Sequence, residues 1–227
     1  MNNASRLLEL QRQAERSFND RELRAKREPV GWPASLIMFH VAQWRERLAT
    51  GLASFKAGLL YTPPPPDIDE LNDAELPRGA GLTLGETGKR SEELLVQLIQ
   101  LSEEIGDRPF VWRMTRTSSE AIIRNSYLHP RIHIAAYYKE NGDQAAAHEI
   151  VEQTVSDLRA EAGPPVVMGA ALYNLAGVRV AQQKHDEALE LLDRGLGMRP
   201  DLRAAAVGDP DLGPLKGDPR FIALTSV

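Results

Sequence analysis

The sequence of 227 residues contains no cysteine. Disulfide bonds, thiolate metal ligands and a cysteine nucleophile are therefore excluded. Any metal ion that this chain binds must be held by nitrogen and oxygen ligands. Histidine is also scarce, with five residues, so few side chains are candidates for such a site.

The chain also lacks an excess of basic residues. Its 27 lysines and arginines are outnumbered by 32 aspartates and glutamates, which gives a net charge of −5. Binding to nucleic acid requires basic side chains that displace counterions from phosphates, so we predict no nucleic-acid partner. No apolar run approaches the roughly 18 residues of a membrane span, and the N-terminus lacks an apolar signal core. We therefore predict a cytoplasmic protein without a membrane segment.

Hydrophobic periodicity predicts that the chain is all-α. Apolar residues recur at intervals of three and four positions over residues 4–26 and again over residues 33–61. This is the spacing of a helix with one buried face. A run of prolines from Pro63 to Pro66, followed by glycines in a polar stretch, predicts a long crossover loop over residues 62–86.

Two more helices are predicted after this loop. The third helix carries a leucine-rich stripe and ends at Gly106. The fourth begins near Ser118, with Thr117, Ser118 or Ser119 as its cap, and ends at Asn141. Four helices joined by one long crossover predict a four-helix bundle over residues 1–141.

Residues 142–227 predict a second, alanine-rich helical module. Its apolar stripes indicate three helices, and Asp209-Pro210 and Asp218-Pro219 each look like a cap followed by proline at the first helical position. The second and third of these helices resemble a tetratricopeptide repeat (TPR). That resemblance implies a helical hairpin, and one repeat is too few for a stable solenoid. The residues with the family's spacing are Leu172, Leu175, Ala176, Ala188, Leu192, Gly195 and Pro200.

Three of the five histidines are candidate metal ligands. His129 and His133 lie four residues apart, so in a helix their imidazoles lie one turn apart on one face. His40 lies on the predicted inward face of the second helix. One inward histidine is more often a core residue than a ligand. For three inward histidines, a metal site and core packing are alternatives of similar weight. Pro130 also leaves two alternatives, because it either kinks the fourth helix or lies where that helix starts.

The four-helix pattern, the stretch His40-Val41-Ala42-Gln43-Trp44 and the stretch from Asn125 to His133 together resemble the DinB superfamily. The closest likeness is to its ClbS/DfsB-like branch, and it covers residues 1–141. The resemblance implies a divalent metal held by His40, His129 and His133. Zinc, nickel, iron and manganese all fit such a set of nitrogen ligands. Members of the superfamily include thiol-dependent transferases and isomerases, and the ClbS-like branch includes a toxin self-resistance hydrolase.

Two functions are consistent with these features. The first is a metal-dependent hydrolase or thiol transferase that acts on a small electrophilic molecule. Trp32, Trp44, Phe39 and Phe110 are candidates to line its substrate pocket, although aromatic residues at helical spacing are more often core. The second is a non-catalytic interaction protein whose TPR-like half binds a protein partner. A homodimer formed through the bundle helices fits either hypothesis.

Overall fold

The computed structural model describes residues 1–65 and 67–226 and is mostly helical. This confirms the predicted all-α class, with the addition of one small antiparallel sheet of two strands. The chain divides into two compact units, Met1–Ala147 and His148–Val227. Pro66 of the predicted crossover loop and Val227 at the end of the predicted second module lie outside the described residues.

Four long helical segments pack side by side in the first unit. Residues Arg124–Leu128 form a π-helical turn that joins α5 (Ser118–Ile123) to α6 (His129–Glu140), so that these two helices and the turn form one rod. The α4 helix contacts α1 and α2, and the rod also contacts α1 and α2. The four segments therefore surround a shared apolar core. The helices are α1 (Asn3–Arg24), α2 (Ala34–Lys56), α3 (Asp69–Glu75), α4 (Leu84–Ile105), α5 (Ser118–Ile123) and α6 (His129–Glu140).

The crossover between α2 and α4 is more structured than the sequence predicts. The α2 helix ends at Lys56 rather than at residue 61, because Gly58 has a φ of +70° and the chain turns there. Within the predicted loop, α3 and a 3-10 turn at Leu76–Gly79 form additional helical structure. These segments are too short to show a helical hydrophobic period, which explains why the loop prediction was wrong in this respect.

A β-hairpin between α4 and α5 was also not predicted. Its strands are β1 (Pro109–Trp112) and β2 (Thr115–Thr117), which pair in antiparallel fashion. The helix after the hairpin starts as predicted, because the side chain of Thr117 accepts a hydrogen bond from the backbone N–H of Glu120. The predicted end at Asn141 is also confirmed.

A buried ion pair connects the helices of the first unit. Arg45 on α2 is fully buried and donates to the carboxylate of Glu15 on α1 at 2.5 and 2.9 Å. It also donates to the hydroxyl of Ser91 on α4 at 2.7 Å and to the carbonyl of Ser126 in the rod at 3.0 Å. One guanidinium therefore bonds to each of the other three segments that surround the core.

Pro130 explains why the Ser126 carbonyl is open to Arg45. In a regular α-helix the N–H of residue 130 would donate to the carbonyl of residue 126, but proline has no N–H. Arg45 donates to this carbonyl instead. Just before the proline, the N–H of His129 donates to the carbonyl of Arg124, five residues earlier. The rod thus passes through Pro130 by means of a π-helical turn and does not start there.

The second unit is built on a close pair of helices, α8 and α9. A Cβ atom added at Gly195 would lie 3.0 Å from the carbonyl oxygen of Gly169, so the two backbones approach closely at these glycines. Asp209 and Asp218 each accept a backbone N–H two residues later, which confirms both predicted caps. The helices after α6 are α7 (Gln144–Ala160), which crosses the division between the units, α8 (Pro165–Ala181), α9 (His185–Met198), α10 (Arg203–Gly208) and α11 (Pro219–Thr225).

In the described part of the chain, no helix is both long enough and apolar enough to cross a bilayer.

The buried arginine gives a direct test of how the first unit is held together. Replacing Arg45 by methionine leaves the Glu15 carboxylate buried without its cation, and loss of one partner of a buried pair costs about 3–5 kcal/mol. We expect the free energy of unfolding in urea to fall by this amount. The control is Arg90→Met, because Arg90 and its partner Glu46 are both about half exposed. It should cost less than about 1 kcal/mol.

The double variant Arg45→Met with Glu15→Met should recover much of the lost stability, because it leaves no unpaired charge in the core. Equal effects of Arg45→Met and Arg90→Met would show that the buried pair has no special role.

Candidate metal centre

The three predicted histidines meet at one point in the first unit. His40 comes from α2, and His129 and His133 are the first and fifth residues of α6. The Nε2 atom of His129 lies 3.2 Å from Nε2 of His40 and 3.0 Å from Nε2 of His133. The ligand atoms of all three lie within 4.8 Å of one another, so the group could hold a metal ion.

The two nitrogen separations that involve His129 fit a single metal ion. Imidazole nitrogens bind zinc at about 2.0–2.1 Å, which places two ligands of one tetrahedral ion about 3.3 Å apart. Hydrogen bonds between the rings explain the arrangement less well. A ring nitrogen carries either one proton or one lone pair, so Nε2 of His129 cannot form two well-directed bonds at once. Three such ligands leave further coordination positions open.

The π-helical turn sets the direction of the His129 side chain. It ends at Leu128, directly before this histidine. A π turn holds an extra residue, so it rotates every later side chain of the rod relative to those before the turn. Such turns are rare and are frequent at functional sites. The Arg45 bond to Ser126 stabilises this turn and so acts on the position of the histidines.

Two tryptophans lie against the histidines. Trp32 stacks on His133, with ring centroids 5.8 Å apart, and meets His40 edge-on at 5.4 Å. Trp44 meets His40 and His129 edge-on at 6.4 and 6.3 Å. These indoles limit the rotation of the imidazoles and exclude water from their sides.

The unpredicted α3 helix supports this arrangement. The indole N–H of Trp44 donates to the side-chain oxygen of Asn72 on α3 at 3.1 Å. On the other side, Trp32 forms one wall of a cavity of about 440 Å³. The cavity is also lined by Leu36, Asp73, Leu76 and Gly79, from the start of α2 and the crossover segment. It offers space for a small molecule beside the ring that stacks on His133.

Burial keeps the three histidines neutral. Desolvation, with a contribution from the charge of His133, lowers the pKa of His40 to about 3. Desolvation also lowers the pKa of His133 to about 4 and holds the pKa of His129 well below its usual value. Neutral imidazole is the form that binds metal ions, so at neutral pH no proton has to leave these rings before a metal binds.

The candidate pocket residue Phe110 and the two histidines outside the centre lie elsewhere. Phe110 is in the hairpin and stacks on Tyr61, with centroids 4.5 Å apart. His148 and His185 belong to the second unit, where His185 is exposed. Arg45 was not identified from the sequence as a buried residue. It lies on the same helical stripe as Val41, and an arginine among apolar residues was the signal that could have revealed it.

Comparisons with known proteins add no assignment. Neither a family model, nor a curated protein, nor a solved structure matches this chain. The DinB and TPR resemblances therefore stay predictions, and function has to be inferred from the histidine centre and its surroundings.

Metal-free protein should lose stability as the pH falls below about 6.5. Unfolded histidines take up a proton near this pH, whereas His40 and His133 stay neutral in the folded state until about pH 3 and about pH 4. In that window the unfolded state binds more protons. The free energy of unfolding should therefore fall with decreasing pH by up to about 1.4 kcal/mol per pH unit for each histidine.

Urea unfolding of EDTA-treated protein between about pH 7 and pH 5 measures this slope. His133→Gln should reduce this dependence of the free energy of unfolding on pH by about the contribution of one histidine. His185→Gln is the control and should leave it unchanged, since His185 is exposed. A slope that His133→Gln does not alter would contradict the role of burial at the centre.

Proposed function

We propose that this protein binds one divalent metal ion through His40, His129 and His133. The observation that carries the proposal is the convergence of three imidazoles: Nε2 of His129 lies at metal-site distances from Nε2 of both His40 and His133, and all three ligand atoms lie within 4.8 Å of one another. Their neutral state and the indoles that fix them support it further. Zinc, nickel, iron and manganese are the candidate ions, since all accept imidazole ligands.

The first unit is, in this proposal, a DinB-like four-helix bundle. The support is the set of four helical segments around a shared core, with one histidine on α2 and two on the rod. This is the arrangement that the resemblance implies for residues 1–141.

The proposed activity is hydrolysis or thiol transfer on a small electrophilic molecule. A bound divalent ion would supply a Lewis acid and lower the pKa of a coordinated water or thiol. Because the chain has no cysteine, the thiol of a transfer reaction must come from a second substrate. Trp32 and Trp44 keep water from the sides of the histidine centre, and the cavity beside Trp32 admits the electrophile.

A second proposal concerns the TPR-like half. Small residues allow α8 and α9 to approach closely at Gly169 and Gly195, as in a repeat hairpin. Arg179 on α8 forms ion pairs with Glu152 on α7 and Glu187 on α9, which ties the three helices together. A protein partner for this unit is an alternative function that would not involve the histidines.

Elemental analysis tests the metal proposal. Protein purified without a metal-affinity column should contain close to one divalent metal ion per chain. His133→Ala removes one of three nitrogen ligands. Because loss of an outer partner of a ligand already lowers metal affinity about 10–100-fold, loss of a ligand should cost at least 100-fold. His185→Ala is the matched control and should retain the metal.

Circular dichroism should show that His133→Ala remains folded, so that metal loss is not a consequence of unfolding. The metal-loaded protein is then assayed on activated esters and on epoxides, with and without added thiol. Wild-type protein that is metal-free and refuses both zinc and nickel would overturn the metal proposal. Turnover that survives in His133→Ala would overturn the proposed activity.

A further inference from the structure

An arginine with an unfavourable backbone conformation lies at the tip of the hairpin. Arg113 is the first of the two residues between β1 and β2, and its φ is +55°. Glycine is common at such positions, because a Cβ atom disfavours positive φ. An arginine in this conformation does not favour the stability of the turn, which suggests that its side chain has another role.

The N–H donors of the Arg113 guanidinium are not used within the described part of the protein. The side chain is half-buried, and it forms no hydrogen bond or ion pair with the residues that the structure describes. Burial lowers the pKa of Arg113, while the exposed carboxylate of Asp69 raises it. A partly desolvated guanidinium whose N–H donors form no hydrogen bond to a described residue can bind an anion from solution.

Trp44 connects this arginine to the histidine centre. The guanidinium carbon of Arg113 lies 5.7 Å from the centroid of the Trp44 ring. The same indole meets the rings of His40 and His129 at 6.4 and 6.3 Å. The cation and two of the candidate metal ligands therefore pack against one shared aromatic ring, which is itself buried.

We propose that Arg113 binds an anionic group, a carboxylate or a phosphate, on the small molecule that the histidine centre acts on. The planar guanidinium can donate two parallel hydrogen bonds to either group, and the shared Trp44 ring places this guanidinium beside the histidine centre. The substrate class is thus a small anionic electrophile. This role in substrate recognition rests on the proposed function, whereas binding of the anion itself requires no metal.

Calorimetric titration of EDTA-treated, full-length protein tests anion binding without metal. The probes are benzoate, phenyl phosphate and benzamide, which is a neutral isostere of benzoate. At least one anionic probe should bind about tenfold more tightly than benzamide, as expected for a charge-assisted hydrogen bond. The ranking of the two anions identifies carboxylate or phosphate as the preferred group.

Arg113→Gln should abolish this preference. Arg116→Gln is the control, since Arg116 lies exposed in the same hairpin, and it should keep the preference. Equal binding of benzamide and the anions, no binding of any probe, or a preference that survives Arg113→Gln would each overturn the inference.

Arg113→Gly separates recognition from folding. Glycine tolerates the positive φ, so this variant should melt at a temperature no lower than the wild type while losing the preference for anions. A lower melting temperature together with an intact anion preference would show that Arg113 has a structural role, which overturns the inference.

A metal-loaded titration shows whether one ligand spans both groups. Acetohydroxamate and the monohydroxamate of succinate share a metal-binding head, but only the second carries a carboxylate. The monohydroxamate of succinate should bind zinc-loaded wild type about tenfold more tightly than acetohydroxamate does. The two ligands should bind Arg113→Gln equally tightly. Equal binding to the wild type would overturn the proposed spanning. Absence of metal with an intact preference for benzoate or phenyl phosphate would instead overturn the proposed function and support the anion site.

Discussion

The hydrogen bonds of the buried Arg45 guanidinium join all four helical segments of the first unit. The guanidinium balances the charge of Glu15 and bonds to Ser91, so that α1, α2 and α4 share one polar contact inside an apolar core. Its bond to the Ser126 carbonyl replaces the helical bond that Pro130 cannot make. The rod therefore stays helical through its proline. The π-helical turn directly precedes His129 in this rod.

The histidine centre has the opposite electrostatic character. Three imidazoles lie close together without charge, because desolvation disfavours protonation of each, and nearby histidines add to this effect at His40 and His129. Such a group is unfavourable for folding at low pH and favourable for metal binding at neutral pH, since neutral imidazole is the form that binds metal ions. Trp32 and Trp44 hold the rings in place. A loss of stability in exchange for preorganisation is common at functional sites.

Helical spacing made the inward positions of the histidines predictable, whereas features that depend on distant contacts could not be predicted from the sequence. The period of α2 and α6 indicated that His40, His129 and His133 face inward, and the structure brings them together. Metal binding by them stays a prediction. The π-helical turn was hidden, because its stabilising bond comes from Arg45, far away in the sequence. The positive φ of Arg113 was equally hidden, since it depends on the register of strands too short to show an alternating pattern.

The most direct measurement of the central claim is an X-ray absorption spectrum of the zinc-loaded, full-length protein at the zinc edge. Three imidazoles on one ion predict a shell of nitrogen scatterers at about 2.0–2.1 Å, with the outer-ring scattering of three histidines. A spectrum with oxygen ligands only, or with a single imidazole, would mean that the three histidines meet as core residues and not as the ligands of a metal ion.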